Sequence, residues 1–409
     1  MLDHPDRTGA RLSEPSTGGG GHTNRRQRQD GPAREEDELQ QGLSASCWFD
    51  SGPGDRPYSA TVRFTGRRLG ATGRLRPKDG FVRDEVVAGI IPGTGPVSIT
   101  TRVQDVNPGQ WSVSAEMLPG ATNPRAARQA ARLGPRGSRP VFPATWSWRH
   151  WSLAAGPAEP IRTRWAPLTD FIRMPAVIPA SWGSLVLAGV IVGMTVQGIL
   201  ASRYHLNPAR ILTVSIIASL AGLAGAKAWY VALNLRGWRA ALRVGLCIQG
   251  FLVGAVVVGL ALMMLLRLPI GPLLDATAPG LFFGVMIGRL GCFFTGCCAG
   301  RLSASRWAIW SSDRRVGARR IPTQLLESLA GLVIGTLSTL AVLYSRPGFP
   351  GAIFVAACAA YTLVRQGLLR LRGEERRSSL GGPLTAAASA VVMLVSVASV
   401  VVGFPRSGL

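Results

Sequence analysis

The sequence predicts an all-α polytopic membrane protein of about seven transmembrane helices, with an N-terminal disordered tail and a small β-sandwich-like domain. Three observations predict it. Residues 176–409 read as long apolar runs and carry 21 basic but only 5 acidic groups. The mean hydropathy of +0.22 is high for a water-soluble enzyme. Between residues 44 and 120 the apolar period shortens to two, with Pro/Gly clusters between the runs. The net charge is +23, from 45 Lys+Arg against 22 Asp+Glu, and all the basic residues except Lys78 and Lys227 are arginine. In so apolar a chain no nucleic-acid partner is expected, and so uniform an arginine bias reflects genome composition more than function.

Residues 1–43 are rich in Gly, Arg, Gln and acids with almost no large apolar side chain. Such a segment cannot bury enough surface to offset the entropy of ordering, and disorder is expected. No Lys/Arg-flanked apolar run lies near Met1, so no cleavable secretory signal is expected. Residues 44–120 hold alternating segments at Tyr58–Phe64, Glu85–Val87, Val97–Val103 and Trp111–Glu116, separated by turns such as Pro92–Pro96 and Asn107–Gly109. A small antiparallel sandwich of immunoglobulin-like type is expected, a partly ordered linker being the alternative, and its partner is unknown. Residues 121–180, rich in Arg, Pro and Trp, suit a connector along a membrane surface. Within 181–405 come apolar stretches at roughly 183–201, 211–233, 244–266, 277–298, 322–344, 351–371 and 384–403. Each can cross a ~30 Å hydrocarbon core as a helix, and the frequent glycines let such helices pack closely.

Ionisable groups inside these stretches are costly, and Lys227, Arg289, Glu327 and Arg365 each ask for a reason. A buried ion pair or snorkelling is one. In Gly288-Arg289-Leu290-Gly291-Cys292-Phe293-Phe294-Thr295-Gly296-Cys297-Cys298-Ala299-Gly300-Arg301, however, arginines sit among glycines and small residues, where donors can converge on an anion. At that depth the anion is a lipid phosphate, which a planar guanidinium is shaped to grip.

This stretch resembles the hallmark of the prolipoprotein diacylglyceryl transferases, G-R-x-G-N-F-x-N-x-E-x-x-G-R, at Gly288, Arg289, Gly291, Phe293, Gly300 and Arg301. Pro322-Thr323-Gln324-Leu325-Leu326-Glu327 is similar to that family's H-P-S/T-Q-L-Y-E, and Tyr361 to Arg365 to its Tyr-x-x-x-Arg. Gly225–Tyr230 and Gly245–Gly250 are similar to its G-G/A-R-x-x-Y and H-G-G segments. The resemblance implies transfer of a diacylglyceryl group from phosphatidylglycerol to the lipobox cysteine of exported prolipoproteins, in a bacterial plasma membrane. No metal and no cofactor are implied. Arg289 and Arg365 would bind the phosphate and stabilise the leaving group, and Glu327 would orient an arginine. Tyr361 and Gln324 would hydrogen-bond the head group or hold the arginines, and Gly300 would admit backbone close to substrate. Arg301, Gly250 and Cys292 complete the substrate-binding positions.

The chain departs from the family at chemically telling places. Gln249 stands in the catalytic histidine's place and Phe251 in that of a following glycine. Cys292 and Thr295 replace the asparagines of the hallmark, Cys297 its glutamate and Ile321 the histidine before Pro322. The histidines are His4, His22, His150 and His205, none within an apolar stretch. Activation of the acceptor thiol then falls to arginines that stabilise a thiolate or to a carboxylate such as Glu327. Rival readings are a glycerolipid transferase with another acceptor, a non-catalytic lipid-binding protein, and a thiol-redox protein built on Cys292, Cys297 and Cys298. Cysteine as a small apolar filler is the plainer reading of those thiols, and without histidine beside them a metal site is not expected. Topology is also open. Loops 2–3, 4–5 and 6–7 hold 13 arginines against 5 opposite, which puts the N-terminus in the cytoplasm. The resemblance puts it outside, with some of those arginines contacting substrate.

Overall fold

The computed structural model describes residues 41–71, 76–118, 141–145, 154–155, 159–171, 174–235, 238, 242, 245–373 and 381–402. The expected disordered tail lies outside them except for its last residues, 41–43, which open a strand. Alternating burial organises the first part into β1 (Gln41–Asp50), β2 (Tyr58–Arg68), β3 (Gly80–Ile90), β4 (Pro96–Gln104) and β5 (Gln110–Leu118). Within the segment read as a connector, β6 (Phe142–Thr145), β7 (Ala154–Ala155), β8 (Ile161–Arg162) and β9 (Arg164–Trp165) pair into the same sheets. One sheet runs β3-β2-β5-β8; in the other, β4-β1-β6-β7 are neighbours and β9 also pairs β1. Phe49, Val62, Phe64, Ile90, Val97 and Ile99 from the two sheets form one buried cluster. Each such side chain contributes roughly 1.5–3 kcal/mol by leaving water. Trp111 closes a neighbouring cluster with Leu43 and Val106, its Nε1 donating to the Asn107 carbonyl at 3.1 Å.

Seven helices then follow that are long and apolar enough to cross a membrane, and the chain is a multi-pass membrane protein. They are α1 (Ser181–Ala201), α2 (Pro208–Leu233), α3 (Ile248–Leu265), α4 (Ile270–Thr295), α5 (Thr323–Tyr344), α6 (Ala352–Leu368) and α7 (Gly381–Val402). Their outer faces expose large apolar groups such as Leu187, Ile191, Leu220, Val256, Leu337 and Leu394, as lipid contact demands. Helix α2 starts where Asn207 Oδ1 accepts from the Ala209 and Arg210 amides, with Pro208 in the first turn. Helix α4 begins earlier than the expected 277 because Asp275, which breaks the apolar run, is buried and bonded; it ends at Gly296 in the left-handed region. Pairs α1–α4, α2–α3, α4–α5, α5–α6 and α6–α7 pack together. Glycine permits the closest approaches: a Cβ on Gly193 would lie 2.8 Å from the Gly280 carbonyl oxygen, and one on Gly225 2.5 Å from that of Gly250.

Between α4 and α5 the chain forms a hairpin of β10 (Ile309–Ser312) and β11 (Val316–Arg320). Strand β11 adds to the edge of β4 through the pairs Val316↔Ile99 and Gly317↔Ser98. Trp310 Nε1 donates to the Pro96 carbonyl at 2.7 Å, and the Thr100 amide to the Arg315 carbonyl at 2.7 Å. The expectation of an all-α molecule is thus corrected. Strands make up most of the described residues before α1 and reach into the helical half, through a hairpin whose pairing partner lies some two hundred positions away in sequence.

Candidate active site

Arg289 stands two turns before the end of α4, and Glu327 one turn into α5. Tyr361 and Arg365 lie one turn apart on α6, which spacing places on one face. Arg372 follows the 3-10 turn Leu369–Leu371 that closes α6. Glu327 is fully buried, at 0% exposure. A lone carboxylate there would cost several kcal/mol. Three arginines offset that cost: Arg289 Nε lies 2.6 Å from Oε2, Arg372 Nη2 2.8 Å from Oε1 and Arg365 Nη1 3.9 Å from Oε1. Three guanidinium charges against one carboxylate leave a positive surplus, an arrangement able to hold an anion. Arg289 Nη2 also donates to Tyr361 Oη at 3.3 Å, and its Nη1 lies 4.0 Å from Cys292 Sγ. Tyr361 is fixed in turn against Phe282, ring centroids 5.6 Å apart.

The backbone after α4 closes over this cluster. Gly300 bridges to Arg372, the Arg301 amide donates to the Leu371 carbonyl at 2.9 Å, and the Ile321 amide to the Arg301 carbonyl at 3.1 Å. A Cβ on Gly300 would collide with the Ile321 carbonyl oxygen, so the crossing of these segments requires glycine there. Gln324 Nε2 donates to the Cys297 carbonyl at 2.8 Å, and Thr323 Oγ1 to that of Cys298 at 3.1 Å. Gln324 therefore ties the turn after α4 to the start of α5. All six cysteines are free. The Cys298 thiol, beyond the end of α4, is held below its ordinary range by hydrogen bonds with Cys292 and Cys297 and by the charges of Arg372 and Arg289, against burial.

A family model described as prolipoprotein diacylglyceryl transferase matches residues 171–404. The chain belongs to the prolipoprotein diacylglyceryl transferase family. A phosphatidylglycerol–prolipoprotein diacylglyceryl transferase of Nostoc sp. is 28% identical over 234 residues, covering 53% of this chain and 81% of that protein. The enzyme of that name from Thermosynechococcus vestitus is 28% identical over 232 residues, covering 53% and 84%. Phosphatidylglycerol–prolipoprotein diacylglyceryl transferase 2 of Streptomyces coelicolor is 34% identical over 149 residues, covering 34% and 46%. The transferase match contains all seven helices and the β10–β11 hairpin; strands β1–β9 precede it.

Of the positions singled out from the sequence, Arg289, Glu327, Tyr361, Arg365 and Cys292 come together in one cluster. Arg301 adjoins it through its backbone, its side chain exposed. Gln249 and Gly250 do not enter the cluster. Exposed at the start of α3, Gln249 Oε1 accepts from Cys247 Sγ at 2.7 Å, and among the described residues no hydrogen bond or ion pair joins it to the arginines. Gly250 packs against Gly225 and Trp229. Lys227 Nζ donates to the Gly245 carbonyl at 3.2 Å. Sequence reading counted Arg372 only as a loop charge. No helical spacing marks it, because it lies in extended backbone past the 3-10 turn that closes α6.

Proposed function

We propose that this chain transfers the diacylglyceryl group of phosphatidylglycerol to the lipobox cysteine of exported prolipoproteins, at the outer side of a bacterial plasma membrane. The observation that carries the reading is the convergence of Arg289, Arg365 and Arg372 on buried Glu327, in a helical bundle of this family. The acceptor sulfur attacks the glycerol carbon that bears the phosphate; the S–C bond forms as the C–O bond breaks, and glycerol phosphate leaves with the bonding pair. Arg289 and Arg365 hold the phosphodiester and neutralise the charge that grows on the departing phosphate, an effect strengthened where water is excluded. Glu327 and Arg372 position them, and Tyr361 fixes the Arg289 plane. Among the described residues no histidine stands at the site, so the positive surplus lowers the thiol's proton affinity, the proton passes to water, and the attacking species is the thiolate.

Several arginines of the 4–5 connection are engaged within the protein, which supports the outward placement of that face. Arg315 pairs with Glu85 at 3.1 Å and Arg320 with Asp313 at 2.7 Å, while Arg314 Nε donates to the Thr295 carbonyl at 3.0 Å. Charges already satisfied in this way weigh less in the positive-inside count. A second reading, the same lipid donor with another acceptor, is favoured by one observation, the exposed Gln249 at the family's histidine position. The test is transfer from labelled phosphatidylglycerol to a lipobox peptide by purified protein in liposomes. Label on the peptide cysteine, reduced about 10²–10³-fold by Arg289→Ala, is expected. Lipid turnover without peptide label would favour the second reading.

A further inference from the structure

A groove of about 420 Å³ runs between the sandwich and the hairpin, with Val86 and Ala88 of β3 on one wall and Arg301, Arg315, Arg320 and Gly373 on the other. None of these residues lies within the seven spans, so the groove opens on the aqueous side. It adjoins the arginine site directly: Arg301 follows Gly300, and Gly373 follows Arg372, which holds Glu327. Its β3 wall comes from the part of the chain that precedes the family match. We propose that this groove seats the extended segment of the precursor that follows the acceptor cysteine, making the sandwich a docking element for the polypeptide substrate; this rests on the transferase reading above.

Two features fit that occupant. Strand β3 is the outer strand of its sheet, so no further strand pairs with it on that side. The Val86 carbonyl, accepting from Arg315 Nη2 at 2.6 Å, faces the hairpin wall. Beyond it the register slips between Val87↔Ala60 and Ile90↔Tyr58, and Gly89, at φ 71°, forms the bulge that ends the free edge. An edge of this kind takes an extended chain by backbone hydrogen bonds, which suits acceptors that share a cysteine and differ beyond it. Charge selects the occupant further. Arg320 pairs Asp313 and Arg315 pairs Glu85, while the exposed Arg301 guanidinium has no ion-pair partner among the described residues. A segment carrying Asp or Glu is favoured over one carrying Lys or Arg.

The test uses the full chain in phosphatidylglycerol-containing nanodiscs with three lipobox peptides. One ends just past the cysteine; the others add about eight residues, one strand's length, rich in either Asp or Lys. The acidic extension should lower KM about five-fold against the short peptide at unchanged kcat, and the basic one should not. Ala88→Glu, and independently Val86→Glu at another exposed position of the wall, should abolish the gain without altering turnover of the short peptide. An extension without effect, or a gain that survives both variants, overturns the docking proposal. Failure to lipidate even the short peptide counts instead against the transferase reading. Docking is then decided by fluorescence anisotropy: saturable binding of the acidic peptide, lost in Ala88→Glu, upholds it, and no binding overturns it.

Discussion

Glu327 is, among the described residues, the carboxylate to which Arg289, Arg365 and Arg372 point, and their distances to it separate their roles. Arg372, at 2.8 Å and nearly buried, neutralises it; Arg365, at 3.9 Å and 35% exposed, is freer to turn toward an anionic ligand. Arg372→Ala should therefore destabilise the fold and lower the melting temperature, by less than the about 3–5 kcal/mol of a buried carboxylate left alone, because Arg289 still meets Glu327 at 2.6 Å. Arg365→Ala should leave the melting temperature near that of the wild type and raise KM for phosphatidylglycerol. Thermal unfolding and turnover, measured side by side, check both. In the sandwich, Asp79 Oδ1 accepts from Asn107 Nδ2 at 2.8 Å and from Arg68 Nε at 2.5 Å. These bonds, the Asn107 one foremost, hold its carboxyl below the usual range against the effect of burial. A carboxylate that binds its proton less readily folded than unfolded stabilises the fold fully above the ordinary value of about 3.9, and loses that contribution as pH falls below it. Unfolding followed from about pH 5 down to 2 should show this acid loss, and Asp79→Asn should flatten it.

Among elements, glycine sets the closest helix contacts, beside a buried apolar cluster that includes Phe282, Ile334 and Ile353. Gly193 and Gly280 put the backbones of α1 and α4 against each other, and α4 carries Arg289. Gly193→Leu should force these helices apart, lowering both the yield of folded protein in detergent and its turnover; size-exclusion and melting measurements report the first, the transfer assay the second. Helix α6 is anchored differently. Asp275 of α4 accepts from the Gly351 amide at 2.8 Å and the Phe354 amide at 3.0 Å, supplying a cap from a neighbouring helix. Asp275→Ala should cost about 1–2 kcal/mol through these orphaned amides. Because α6 bears Tyr361 and Arg365, activity should fall along with stability.

For the whole molecule, the consequence of β11 joining β4 is that one sheet continues from the sandwich into the connection between α4 and α5. From there Arg320 Nη1 donates to the Gly300 carbonyl at 3.2 Å, Gly300 bridges Arg372, and Arg372 meets Glu327. Gly317 lies where this sheet is tightest, between Ser98 and the Trp310 ring. Gly317→Val should separate hairpin from sandwich, seen as faster amide exchange along β11 and reduced turnover, while the apolar helices stay folded.

The amino-acid sequence by itself determined the seven spans, because a bilayer demands about twenty apolar residues per crossing whatever surrounds them. It also determined the candidate arginines: Arg289 and Arg365 stand out as charges in apolar stretches, and their motif spacing survives translation into helix faces. Periodicity located β2 to β5, where one face is buried and the other wet. It could not locate β10 and β11, short Arg- and Gly-bearing strands that exist through pairing with residues near position 99. Nor could it distinguish Arg372 from the other loop charges, since its role depends on the turn of α6 toward Glu327. Gln249 shows the converse: motif order placed it in the site, yet the start of α3 makes no polar contact with the arginine cluster among the described residues. Local pattern fixes an element because its period and hydrophobicity are properties of neighbouring residues. Which charges meet across 45 positions, as Glu327 and Arg372 do, is decided only when helices pack and an unpaired buried charge becomes too costly to leave alone.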